Sequence, residues 1–341
     1  MFASLPRRAT LLALLALGPV LALSPAPLRW RAPAALLGFD GQGRVVTAPL
    51  TPDRGPDFAR LDVRDPGSGA VTQTLSLPTA KAGPPLAPAW TPDLGTVAWL
   101  SQPGPGQPPA LHLRRGDTLR TLGGPGQGLE GAQVLALSPD GSALYVGNFN
   151  GYVQVWDMAS GERVRTLPQK SWGVERLQSS PDGTRLFVGT RGAFTVYDTR
   201  TWAAQVLPDA FAKTPHSLAF TPDSRALYVA DGHDPVRRYD LTQPGRLTTL
   251  PRPTGPCDVP FWQGRCAAGP VTLSLSADGR TLLVGHFNGL AVVYDAATGQ
   301  ERGRQAGTTP FFTTMTPDGR TLLSGGVMDT PLQARTLPQA P

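Results

Sequence analysis

Residues 134–167 read VLALSPDGSALYVGNFNGYVQVWDMASGERVRTL. Four short apolar runs sit between turn signals. The first run, 134–137, ends at Pro139-Asp140-Gly141. The second, 144–146, ends at Asn148-Phe149-Asn150-Gly151, and the third, 152–156, alternates before a turn over 157–161. Residues 163–167 close the unit. Each run has the length and the β-branched and aromatic content of a strand, and Gly, Pro, Asn and Asp punctuate them.

The pattern recurs along the chain. SSPDGTRLFVGTRGAFTVYD, FTPDSRALYVADGHDPVRRYD and LSADGRTLLVGHFNGLAVVYD follow it, with TPDLGTVAWL before it and TMTPDGRTLLSGG at the end. The weakest copy is FDGQGRVV, residues 39–46. With Gln42, Asp93, Asp140, Asp182, Asp223, Asp278 and Asp318 as anchors, the spacings are 51, 47, 42, 41, 55 and 40. Seven units near this period, each of four antiparallel strands, predict an all-β, seven-bladed β-propeller. Only 23 residues follow Asp318 and they supply two further strands. The last blade therefore needs a strand from elsewhere, and Leu28-Arg29-Trp30-Arg31 is the expected N-terminal strand that closes it, removing an exposed edge.

Trp156-Asp157, and Tyr-Asp at 197–198, 239–240 and 294–295, match the end of a WD40 third strand, while the Pro-Asp-Gly turns are closer to bacterial YVTN repeats. The chain thus resembles propellers of the WD40 and YVTN-repeat kind over nearly all of the expected mature region, although the Gly-His pair that opens a WD40 repeat is missing. The resemblance is specific for fold and nearly silent on function.

The chain has 341 residues and a net charge of +6, and only Lys81, Lys170 and Lys213 among its 31 basic residues are Lys. Its Arg side chains are scattered singly at turns, which is a solvated surface and not a phosphate-tracking stripe, so nucleic-acid binding is not expected. Arg7-Arg8 precede an apolar run over 11–23, of secretory-signal length and too short to span a bilayer. Residues 1–22 are therefore read as a cleaved signal peptide and 23–341 as the propeller. The expected protein is exported (periplasmic, cell-envelope or secreted), with no membrane span after cleavage, and monomeric. A lone pair of cysteines, Cys257 and Cys266, with eight residues between them, reads as a disulfide in an exported chain. No set of ligands with metal spacing surrounds it, and neither a metal nor a cofactor is expected.

Blade geometry sorts the turns onto two faces. Loops between strands one and two, and three and four, open on one face. Loops between strands two and three, and between successive blades, open on the other. The Asp anchors of the first face are expected to accept backbone N–H bonds inside their turns. The second face is irregular and carries the candidate binding residues Phe149, Trp172, His216, His233, Phe261, Trp262, His286 and Phe287. Phe149 and Phe287 occupy equivalent places, each followed by Asn-Gly; the pair reads either as a partner site or as two tight hairpin turns. No nucleophile elbow is present. An enzymatic alternative places His216, Asp231 and His286 at the channel mouth, because some propellers similar to this one are lactonases or dehydrogenases; that alternative rests on architecture alone.

Overall fold

Leu28–Ala32 pairs antiparallel with Leu332–Thr336, with Trp30 opposite Ala334 and Ala32 opposite Leu332. That pairing joins the two ends of the chain in one sheet, ordered outward from Thr313–Met315 through Thr321–Ser324 and Leu332–Thr336 to Leu28–Ala32. The computed structural model describes residues 26–51, 55–77, 85–101, 109–123, 128–169, 173–208, 214–232, 235–253, 269–309, 312–326 and 330–337. Its strands form seven antiparallel sheets, each the size of one blade, and the N-terminal strand closes the seventh as expected. The insertion in blade 1 adds a fifth, two-residue strand, Gly55–Pro56, on the end of Val45–Thr51.

The core is a ring of seven apolar clusters, one at each joint between neighbouring blades. The aromatic residue before each third-strand Asp faces the preceding blade. Trp156 packs with Leu111 and Leu113, Tyr197 with Tyr145 and Val155, Tyr239 with Phe187 and Phe194, and Tyr294 with Tyr228 and Ala230. Burying such a ring contributes roughly 1.5–3 kcal/mol from apolar area alone. Two of the polar ends are also satisfied across the joint: the Tyr239 and Tyr294 hydroxyls donate to the carbonyls of Pro208 and Pro251, which follow the preceding blade's last strand.

Inner strands are fastened to one another around the channel. Gln133 Nε2 donates to the Val174 carbonyl, Leu273 N donates to Ser217 Oγ, and Ser274 Oγ donates to the Met315 carbonyl. The first strands of blades 3, 4 and 6 each carry a bulge near their start, which re-aims one side chain.

The Asp turns repeat one hydrogen-bond set. In blade 3, Ser138 Oγ donates to Asp140 at 2.6 Å, Asp140 accepts the Ser142 N–H, and Ser138 Oγ accepts the Ala143 N–H. Thr91/Asp93, Ser180/Asp182, Thr221/Asp223, Ser276/Asp278 and Thr316/Asp318 reproduce it. Blade 1 departs from the expectation that Gln42 is the anchor. Its turn is one residue shorter, and Asp40 at the hydroxyl's place accepts the backbone N–H groups of Gln42 and Arg44.

Candidate functional site

The loops after second strands are tied to the segments between blades, which places them on one face. In blade 3 the Phe149 N–H donates to the Gly131 carbonyl, and Phe149's own carbonyl accepts from Gly173. In blade 6 the Phe287 N–H donates to the Gly269 carbonyl. Both loops end in a left-handed glycine, Gly151 at φ 81° and Gly289 at φ 79°, as a tight turn after Asn requires. Each of these glycines then accepts from the residue beyond its blade's fourth strand, Gln169 or Thr308. The two loops are copies of one design. Their backbones are fixed at both ends while the phenyl rings stand out, Phe149 56% and Phe287 48% exposed. The hairpin-turn reading explains the glycines but leaves the two exposed rings unexplained.

Phe312, at the 6–7 joint beside Phe287's blade, is also exposed, and the sequence reading missed it. The equivalent loop positions in blades 4 and 5 hold Arg191 and Gly232. Arg191 Nε lies 2.8 Å from Glu175 Oε1, an exposed pair of the kind that contributes 0–1 kcal/mol.

His216 is half-buried in the approach to its first strand; its N–H donates to the Ala230 carbonyl and its carbonyl accepts from Arg176. Its ring lies over Gly232, where an added Cβ would sit 2.7 Å from ring atoms, so glycine is required there. Asp231 is buried and forms a 2.7 Å ion pair with Arg237, which is also buried. His286 is buried at the end of its strand, its N–H donating to the Leu290 carbonyl. These three residues are linked through backbone: Gly232 N donates to the Pro270 carbonyl, and Pro270 is the register partner of His286. The carboxylate of Asp231 is thus engaged by a guanidinium. Among the described residues no group of three or more His, Cys, Asp or Glu side chains has the arrangement of a metal site. Trp172, His233, Phe261, Trp262, Cys257, Cys266 and the leader lie outside the described residues.

A buried polar network in blade 2 was also missed. His112 stands between Ser101 Oγ, 2.6 Å from Nε2, and Thr121 Oγ1, 3.1 Å from Nδ1, and stacks on Trp99. Burial holds its imidazole pKa below the usual histidine value. Ser101 is 1% exposed, which makes the pair structural.

The WD domain, G-beta repeat family matches residues 116–157. The chain is a seven-bladed propeller similar to WD-repeat proteins. The matched repeat supplies the outer strand of blade 2, Thr118–Gly123, and the inner three strands of blade 3. Repeat and blade are thus offset by one strand, which interlocks neighbouring blades. Two uncharacterized WD repeat-containing proteins of Deinococcus radiodurans are similar to it: one is 27% identical over 196 residues, 50% of this chain and 72% of its own, and the other 29% over 203, 51% and 72%. A WD repeat-containing protein of Schistosoma mansoni is 28% identical over 115 residues, 33% of this chain and 38% of its own. WD-repeat propellers typically act as protein-interaction scaffolds. Among the described residues no helix is long and apolar enough to cross a membrane.

Proposed function

We propose that this propeller is an exported, monomeric binding module that captures a protein, peptide or cell-envelope component on the face carrying Phe149 and Phe287. The observation that carries the reading is the pair of equivalent loops, each with a backbone fixed at both ends and an exposed phenyl ring. Exposing a large ring has a solvation cost that a hairpin turn does not require, whereas a rigid aromatic anchor gives binding energy with little ordering cost. Export rests on the composition of residues 1–22, and with it go the cleaved leader and a Cys257–Cys266 disulfide. The test is capture from an envelope extract by the native protein and by the Phe149→Ala/Phe287→Ala variant. The reading expects a component retained by the first and lost with the second; equal retention by both contradicts it.

A further inference from the structure

The opposite face carries a groove of about 580 Å³ between blades 3 and 4. One residue of its lining, Trp202, sets this joint apart from its sisters. Four blades turn from third to fourth strand in the same way, the residue four after the Asp donating its N–H to the Asp carbonyl: Gly69, Gly161, Trp202 and Gly299. All four are left-handed, and Trp202 adopts φ 61° although it carries a Cβ. A left-handed tryptophan is strained where glycine is not. At the three glycines the backbone closes directly on the preceding blade, so that an added Cβ would meet Trp30, Leu122 or Leu250 at 2.6, 3.2 and 3.2 Å. At blade 4 the indole reaches back instead. It packs edge-on against Tyr145, with ring centroids 6.4 Å apart, and lies under the Arg165 guanidinium at 5.4 Å.

The groove beside this ring is walled by Pro139 and Pro181 and by the carboxylates of Asp140, Asp182 and Asp198, with Arg200 as the cation of its lining. Asp140 and Asp198 use Oδ1 for their own turns. Their Oδ2 atoms accept no hydrogen bond among the described residues. The volume lies in the range of ligand sites, roughly 300–1,000 Å³. The wall thus combines an indole already paired with a guanidinium, flat proline faces, and two carboxylate oxygens with acceptor capacity. That chemistry suits a cationic side chain on an extended peptide. The whole chain has a net charge of +6, so long-range attraction does not favour a cation and the local carboxylates must supply it.

We propose that this groove is a second site, distinct from the Phe149/Phe287 face, and that it takes an arginine or lysine side chain of a peptide partner. The probe is a capped pentapeptide with two arginines, compared by calorimetry with the same peptide bearing citrulline, which keeps the shape and removes the charge. The arginine peptide is expected to bind at least tenfold more tightly than the citrulline peptide, and to weaken as salt rises. Trp202→Gly, which installs the residue of the three sister turns, is expected to reduce binding at least tenfold. Phe149→Ala/Phe287→Ala is expected to leave it within twofold, which separates this site from the other face. The wild-type comparison of the two peptides needs no variant and stands if Trp202→Gly fails to fold. Equal binding of both peptides, undiminished binding by a folded Trp202→Gly protein, or no arginine-peptide binding at millimolar concentration overturns the proposal. Self-association of the native chain that Trp202→Gly abolishes also overturns it, in favour of a second copy as the occupant.

Discussion

The indole Nε1–H of Trp30 donates to the carbonyl oxygen of Pro66 at 2.9 Å, joining the outermost strand of the last blade to a turn of the first. Trp30 is buried in the cluster that holds Ala34 and Val45 of blade 1 with Leu323, Leu332 and Ala334 of blade 7. Gly69 packs so closely on its ring that no Cβ fits there. One side chain thus serves both the sheet that closes the ring and the joint beside it.

Removing that side chain is therefore expected to be costly. Trp30→Ala should destabilise the protein by about 3–5 kcal/mol, the usual range for a buried Trp truncated to Ala. Urea unfolding followed by fluorescence measures it. A loss below about 1 kcal/mol would mean that the closure is not cooperative with the ring.

The Asp turns set the acid limit. The Thr91, Ser138, Thr221 and Ser276 hydroxyls hold the carboxyls of Asp93, Asp140, Asp223 and Asp278 below the usual range, and backbone N–H groups of Ser160, Thr201 and Thr298 do the same for Asp157, Asp198 and Asp295. A lowered folded-state pKa means that the unfolded chain binds more protons, so stability falls with falling pH. The contribution is complete above the unfolded Asp value of about 3.9 and is lost as pH drops through the folded values. Tm should be nearly unaffected by these groups between pH 7 and 5 and should fall steeply below about pH 4. Ser138→Ala removes a donor to Asp140 and the acceptor for Ala143 N–H, and should cost about 1–3 kcal/mol at pH 7.

His112 gives a second, separate pH dependence. Its folded pKa is lowered by burial, so the neutral ring stabilises the fold above the unfolded value of about 6.5, and that stability is lost as pH falls through the folded value. NMR titration should place the His112 midpoint below 6.5. Replacing it by Phe should flatten the stability profile between pH 7 and 5; an unchanged profile would show that another group titrates there.

Most of the ring was legible because its signals are local and repeated. The turn hydroxyl and Asp recur in six blades, with Pro between them in five, the Tyr-Asp or Trp-Asp strand ends recur in four, and the closing strand followed from counting strands after Asp318. Blade 1 misled at Gln42 because a one-residue shortening moved the carboxylate to Asp40. Phe149 and Phe287 could be found because the same dipeptide follows both. The Asp231–Arg237 pair could not, since it crosses a hairpin whose register is set only on folding. Trp202 did leave a signal: Asp-Thr-Arg-Thr-Trp stands where the sister turns end in Gly. Reading it required knowing which turns are equivalent.

The mature N-terminus should lie near Leu23, and the thiols of Cys257 and Cys266 should resist labelling until reduced. Mass spectrometry of the native protein decides both; an intact leader or two freely labelled thiols would contradict them.

The most direct test of the binding face is the affinity of the captured component for the native ring and for Phe149→Ala/Phe287→Ala, with Tm measured in parallel. Anchors of this kind contribute roughly 1–2 kcal/mol each or more, so affinity should fall by at least about thirtyfold. Because both rings are exposed, Tm should stay within about a degree or two. An affinity within threefold of the native value, or a Tm loss large enough to account for the weakening, would contradict the assignment of this face.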